Sequence, residues 1–384
     1  MSVVKNPVPR IYTLVDEQGG GILMPWTRYG VKSGDVTNLL ELFNSMVKYF
    51  MYNDGRGKFV PIAELVTIRN KQRNAILSTL RRKKGKGKSG PNILEEFDQS
   101  HSNGNLHKAL KVLDGFGNSN REIKYRVIVW DLNERGNMGE TLLHLCLLHN
   151  TIEHKLLAKQ LVLKFPKLVN DIFISEEYYG LSALHEAIVN EDIEMQYFLL
   201  KAKADVHQRC YGAFFCAEDQ RESRRDSKEH EWVDLQPNTK YIGRMYFGET
   251  PLAFATCTNQ SDSVRLLCAF KADPNMKDTN GNTTLHMCVI HECKEMLELL
   301  HSLGGKLHIT NNQRLTPLGL AAKLAKKDMF EAILDLEKEI IWTYRETVCV
   351  AYPLRWIDTI DEITGHVNQT SALSLVVYGV CQTI

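Results

Sequence analysis

A four-residue pattern recurs along this chain and restricts what it can fold into: Thr141-Leu-Leu-His144, Ser182-Ala-Leu-His185, Thr250-Pro-Leu-Ala253, Thr283-Thr-Leu-His286 and Thr316-Pro-Leu-Gly319. The first positions are separated by 41, 68, 33 and 33 residues. Self-similarity at a fixed period of this size means a solenoid, in which each unit buries its apolar face only by stacking on its neighbours. The opening Thr or Ser supplies a hydroxyl to cap a helix, and the following Pro of two tetrads suits a first turn that needs no N–H. Two residues past each tetrad stand Cys146, Ala187, Ala255, Cys288 and Ala321, all small enough for close helix stacking. Second helices are expected at Leu161-Val-Leu163, Phe198-Leu-Leu200, Leu266-Leu267, Leu297 to Leu300 and Ile333-Leu334.

A period of 33 with this helix–turn–helix grammar is that of the ankyrin repeat. Lys203-Ala-Asp205 and Lys271-Ala-Asp273-Pro-Asn275 stand where such repeats have Gly-Ala-Asp and then a hairpin. Asn92 to Phe97 with Gly104 to Leu113 resembles a degenerate first repeat, for about six in all. The fold expected is all-α, an ankyrin solenoid over 91–338, preceded by a partly flexible region 1–90 with short helices and followed by a small β-containing linker, 339–384. The two long steps exceed the period by 8 and 35 residues, and the larger excess, at 208–247, predicts a long finger projecting from one face. Helical spacing marks helices at Leu39 to Met51 and Pro61 to Leu80.

Composition excludes several functions. A formal net charge of +1 gives no broad basic footprint for nucleic acid. Nine scattered cysteines without a C-x-x-C pair read as reduced thiols of a cytosolic protein, where the Asn368-Gln-Thr370 sequon would stay unglycosylated. The N-terminus carries no signal-peptide core, and no apolar run is long enough for a bilayer. His144, His185 and His286 repeat once per unit, which spaces their rings along the solenoid instead of converging them on a metal; with Thr141, Ser182, Thr250, Thr283 and Thr316 they are read as structural repeat residues. His286, Cys288, His291 and Cys293 do not share one helix face. Gly87-Lys88-Ser89 lacks the glycine of a phosphate-binding loop, since Arg82 occupies that place. No catalytic, cofactor or metal site is expected. Nine basic residues between Arg69 and Lys88, without an acid, read as a solvated linker or as a site for calmodulin or anionic lipid. Arg224-Arg-Asp-Ser227 makes Ser227 a candidate phosphosite.

Beyond the repeats come Trp342-x-Tyr344, Tyr352-Pro-Leu354, Ile357-Asp-Thr-Ile360 and Ser371-Ala-Leu373 through Tyr378. With Tyr246-Phe-Gly-Glu-Thr-Pro-Leu252, Cys257-Thr-Asn-Gln260 and Gly281 to His286, they resemble the ankyrin repeats and linker of vanilloid-type transient receptor potential channels, nearest to the invertebrate mechanosensory members. The resemblance spans roughly 91–379. It implies a cytosolic assembly and regulatory module of a calcium-permeable cation channel subunit, in a homo- or hetero-tetramer, with Trp342, Tyr344, Tyr352, Trp356 and Ile357 meeting the finger of a neighbouring subunit. Two departures stand out. Glu140 occupies the place of the lysine with which some relatives bind nucleotide, which sets a negative charge against a triphosphate, and Arg345 replaces the glycine after Trp-x-Tyr. The rival reading is a free-standing ankyrin adaptor for protein partners.

Overall fold

The computed structural model describes residues 8–16, 18, 20–83, 124–242, 246–360 and 365–378, with side chains of the helix at 62–83 described through residue 73. The degenerate first repeat and residues 84–88 of the basic run lie outside the described residues. Helical pairs form where the tetrads predict them: α4 (Leu142–His149) with α5 (Ile152–Lys164), α6 (Ala183–Val189) with α7 (Ile193–Lys201), α8 (Pro251–Cys257) with α9 (Ser261–Ala269), α10 (Thr284–His291) with α11 (Lys294–Ser302), and α12 (Pro317–Lys323) with α13 (Lys327–Glu337). The inner helices α4, α6, α8, α10 and α12 pack in series, and the outer helices α7, α9, α11 and α13 likewise. This is an ankyrin-repeat solenoid.

The tetrad builds its own cap. Thr141, Ser182 and Thr283 each donate a backbone N–H to the Nδ1 of the histidine three residues on, at 3.2, 3.4 and 3.1 Å. Nδ1 is therefore an acceptor and Nε2 carries the proton, which His185 gives to the carbonyl of Glu249 at 3.3 Å and His286 to that of Leu315 at 3.0 Å. These bonds cross to the next repeat. His144 lacks one: its buried Nε2 has no hydrogen-bond partner, and its ring lies 4.5 Å from that of Phe173. Phe173 belongs to the segment lengthened by the 41-residue step. Thr250 and Thr316, whose tetrads end in Ala253 and Gly319, cap through the hydroxyl alone, each accepting a backbone N–H at 3.2 Å.

After the outer helices the chain turns through left-handed conformations at Lys203 (φ 67°), Lys271 (φ 69°) and Gly304 (φ 100°). Only the third is a glycine, so two lysines hold a backbone shape that costs a side chain about 1 kcal/mol.

The region before the repeats differs from expectation. Ile11, Leu14, Val15, Leu23 and Met24 are buried in the same core as the repeat helices. The helix α1 (Met24–Ser33) lies on α5, where Gly30 allows close approach to Leu156. The helix expected from Leu39 to Met51 is α2 (Thr37–Ser45) followed by a 3₁₀ turn at Val47–Phe50. Strands β1 (Lys58–Pro61) and β2 (Tyr125–Ile128) pair antiparallel, and α3 (Ile62–Lys83) follows β1. At the other end α14 (Ala372–Tyr378) covers α12, burying Ala372 and Ser374.

Candidate functional site

Two features interrupt the regular stack, the finger at 208–247 and the hairpin after α13. The finger carries a short antiparallel pair, β3 (Arg225–Asp226) and β4 (Val233–Asp234). It does not project freely as the insertion length suggested, because it folds back onto α3 and β2 over a small apolar core of Val60, Leu65, Ile128, Ile174, Tyr179 and Val233.

Around that core lies a ring of ion pairs. Arg126 grips Glu231 with two N–H···O bonds of 2.6 Å, and Tyr179 donates its hydroxyl to the same carboxylate at 2.8 Å. Burial pushes the Glu231 carboxyl up, but Arg126 and the Tyr179 hydroxyl more than offset this and hold it below the usual range. Asp226 lies between Arg69 at 2.6 Å and Arg73 at 2.8 Å. Arg69 also donates to the Glu231 carbonyl at 2.8 Å and stacks over Tyr179 at 4.6 Å. Thus the first guanidiniums of the basic run are structural anchors, not solvated linker charges. A cation needs this many partners to sit buried without a large desolvation cost.

Ser227 follows Asp226 and is half-buried, its Oγ accepting the Glu229 N–H at 3.1 Å. Arg224, three residues before it, points inward to Glu176 at 3.0 Å and to the Tyr211 carbonyl at 2.5 Å. A kinase reading that arginine would need the finger to open.

The hairpin consists of β5 (Glu339–Tyr344) and β6 (Thr347–Ala351), with a register shift between Ile340 and Trp342. Arg345 opens its turn with φ at 51°, a left-handed shape that glycine takes without strain. Ile340, Trp342 and Tyr344 are 59%, 51% and 65% exposed, and Tyr352 is 40% exposed. Trp356 and Ile357 are half-buried instead; Ile357 packs against the end of the solenoid and accepts the Leu373 N–H at 3.1 Å. The proposed contact residues therefore divide into an exposed trio, Trp342, Tyr344 and Tyr352, and a half-buried pair, of which Ile357 faces inward. Within one chain the finger and the hairpin are separated along the stack by α8 to α13.

At the other candidate sites the side chains have protein partners. Glu140 is buried, accepting the Tyr12 hydroxyl at 2.6 Å and the Met138 N–H at 2.7 Å. Its carboxylate thus faces the segment before the repeats. His291 is held by the Tyr246 carbonyl at 2.7 Å. Among the described residues no group of three or more His, Cys, Asp or Glu side chains is placed to hold a metal ion. Nor is any described helix long and apolar enough to cross a membrane.

The anchors Arg69, Arg73 and Arg126 and their acids Asp226 and Glu231 were missed in the sequence. The signal available was weak: an insertion rich in both charges opposite a basic helix with apolar residues at helical spacing.

Comparison with known proteins agrees with this architecture. Residues 229–311 and 252–344 match the family model for ankyrin repeats in three copies. The human transient receptor potential cation channel subfamily V member 5 is 32% identical over 240 residues, covering 60% of this chain and 30% of the relative. Subfamily V member 6 from Rattus norvegicus is 31% identical over 239 residues, 60% of this chain and 28% of the relative. Subfamily V member 1 from Canis lupus familiaris is 29% identical over 247 residues, 56% of this chain and 26% of the relative. The matched part thus spans less than a third of these relatives.

Proposed function

We propose that this chain is the cytosolic ankyrin-repeat module of a vanilloid-type, calcium-permeable cation channel subunit, and that it serves assembly and regulation. The similarity to subfamily V channels over 60% of the chain supports the family. The observation that carries the assembly role is the hairpin β5–β6, which presents Ile340, Trp342 and Tyr344 to solvent directly after the last repeat. Aromatic residues are enriched at the cores of protein interfaces, and a two-stranded sheet has two open edges for another chain to extend. In the assembly this hairpin meets the finger of a neighbouring copy, and four subunits form the channel. The placement in the mechanosensory branch rests on the sequence resemblance, and a current evoked by membrane stretch in the full-length channel is its test.

Co-precipitation of this chain with a full-length subunit tests the assembly role. The native chain is expected to associate, and the Trp342→Ala/Tyr344→Ala double variant to lose most of that association while melting as the native chain does. Equal association of both would overturn the interface.

A further inference from the structure

Where the finger returns to the repeats, the chain brings two lysines together. Thr239 donates its hydroxyl to the Asp219 carboxylate at 2.8 Å, and the Lys240 N–H donates to the same group at 2.8 Å. The Thr239 carbonyl accepts the side-chain amide of Gln313 at 3.1 Å, and the Gln313 oxygen accepts Lys323 Nζ at 2.5 Å. Lys323, the last residue of α12, is thereby held half-buried beside the finger, while Lys240 is exposed. Among the described residues no carboxylate oxygen lies within 4.0 Å of either ammonium. Burial first, and then the Lys240 charge, lower the Lys323 ammonium from its ordinary value. Two like charges held this way attract a negative group from outside. Ile242, two residues past Lys240, adds an apolar surface that is 54% exposed.

The hairpin after α13 carries the complementary charge. Glu346 stands in the turn between β5 and β6, exposed, and among the described residues it forms no ion pair within 4.0 Å. Its neighbour Arg345 lies over the Tyr344 ring, 5.5 Å from the centroid. Tyr344, two residues before Glu346, is 65% exposed. Each surface thus sets an exposed apolar group two residues from a charge without an ion partner, Ile242 with Lys240 and Tyr344 with Glu346. The signs are opposite, and the finger side has two cations for one carboxylate.

Building on the reading that the hairpin of one copy meets the finger of another, we propose that Glu346 of one copy docks between Lys240 and Lys323 of the next, with Tyr344 against Ile242. The occupant is therefore a second copy of this chain, presented tip first. The contact fixes which way the hairpin lies on the finger, because turning it end for end would move Glu346 away from both lysines. Complementary charges at an interface set orientation and suppress wrong pairings in this way. The lysines also tie the contact to the last repeat, since Lys323 belongs to α12 and Lys240 to the finger.

A charge swap tests the docking, read as co-precipitation of the full chain with a full-length subunit. The Lys240→Glu/Lys323→Glu chain is expected to bind the native subunit about fivefold more weakly, and a subunit carrying Glu346→Lys is expected to restore most of that loss. Undiminished binding by the reversed chain, or a loss that Glu346→Lys does not repair, would refute the docking. Should Lys323→Glu disturb the fold, Lys240→Glu alone serves, with a smaller loss and the same repair. The Trp342→Ala/Tyr344→Ala chain separates the two readings. If it binds as the native chain does, the hairpin interface falls and this docking with it; if it loses binding while charge reversal changes nothing, the docking alone falls.

Discussion

Glu231 of the finger and Arg126 of β2 meet through two parallel N–H···O bonds of 2.6 Å, with side chains 11% and 21% exposed. The pair joins residues 105 positions apart, and it determines where the finger lies. Truncating one partner leaves the other charge nearly buried and unpaired, which costs about 3 kcal/mol. Arg126→Ala is therefore expected to release the finger while the repeats stay folded. Limited proteolysis checks this: new cleavage between about residues 218 and 235 is expected, with the helical circular dichroism unchanged. Resistance equal to the native chain would show that the apolar core alone holds the finger.

The capping histidines make the solenoid acid-labile. Burial pushes the imidazoles of His144 and His185 down to about 3 and that of His286 to about 4. In the unfolded chain they titrate near 6.5, so unfolding takes up protons and stability is lost as pH falls below that value. At pH 5 each contributes a loss of roughly 2 kcal/mol. Urea midpoints are expected to drop steeply from pH 7.5 to pH 5. At pH 7.5, His286→Gln is expected to cost about 1 kcal/mol more than His144→Gln, because only His286 bonds to the next repeat.

The repeat grammar was legible because it is local. A cap requires Thr or Ser three residues before an acceptor, and that pattern survives in sequence at Thr141, Ser182 and Thr283. The finger's position was not legible, since its anchors Arg69, Arg73 and Arg126 look like ordinary surface charges until the chain brings them to Asp226 and Glu231. The segment before the repeats was misread for a related reason. Ile11, Leu14, Leu23 and Met24 follow no single period, so nothing in their spacing shows that they share the core of the solenoid. The exposed aromatic residues Trp342 and Tyr344 were picked out by resemblance, whereas the inward turn of Ile357 depends on α14 covering the last repeat.

Three non-glycine residues in left-handed turns offer a test by gain of stability. Lys203→Gly, Lys271→Gly and Arg345→Gly each remove a steric cost at positive φ, of about 1 kcal/mol. The first two are expected to raise the thermal midpoint of the repeat array. Arg345→Gly lies in a solvent-exposed hairpin outside the stack, so it is expected to leave that midpoint unchanged and to slow hydrogen exchange in residues 339–351. A loss of stability in all three would mean that the side chains contribute contacts that outweigh the backbone cost.

Asp171 shows how the start of the array is held. One oxygen accepts the backbone N–H groups of Val129 at 3.0 Å and Trp130 at 2.7 Å, and the other accepts Arg135 Nη2 at 2.7 Å and the Ile172 N–H at 2.8 Å. Arg135 in turn donates to the carbonyls of Ile172 and Gly139. Every group here is buried, so Asp171→Ala strands three backbone donors and one guanidinium, at a cost of about 4 kcal/mol. Asp171→Asn keeps the shape but loses the charge and one acceptor, and is expected to cost about half as much. Because β2 leads through Trp130 into the first described repeat, the damage should spread to the Arg126 anchor. Finger proteolysis and a lowered thermal midpoint are expected to appear together in Asp171→Ala, whereas Arg126→Ala shows the first with little of the second.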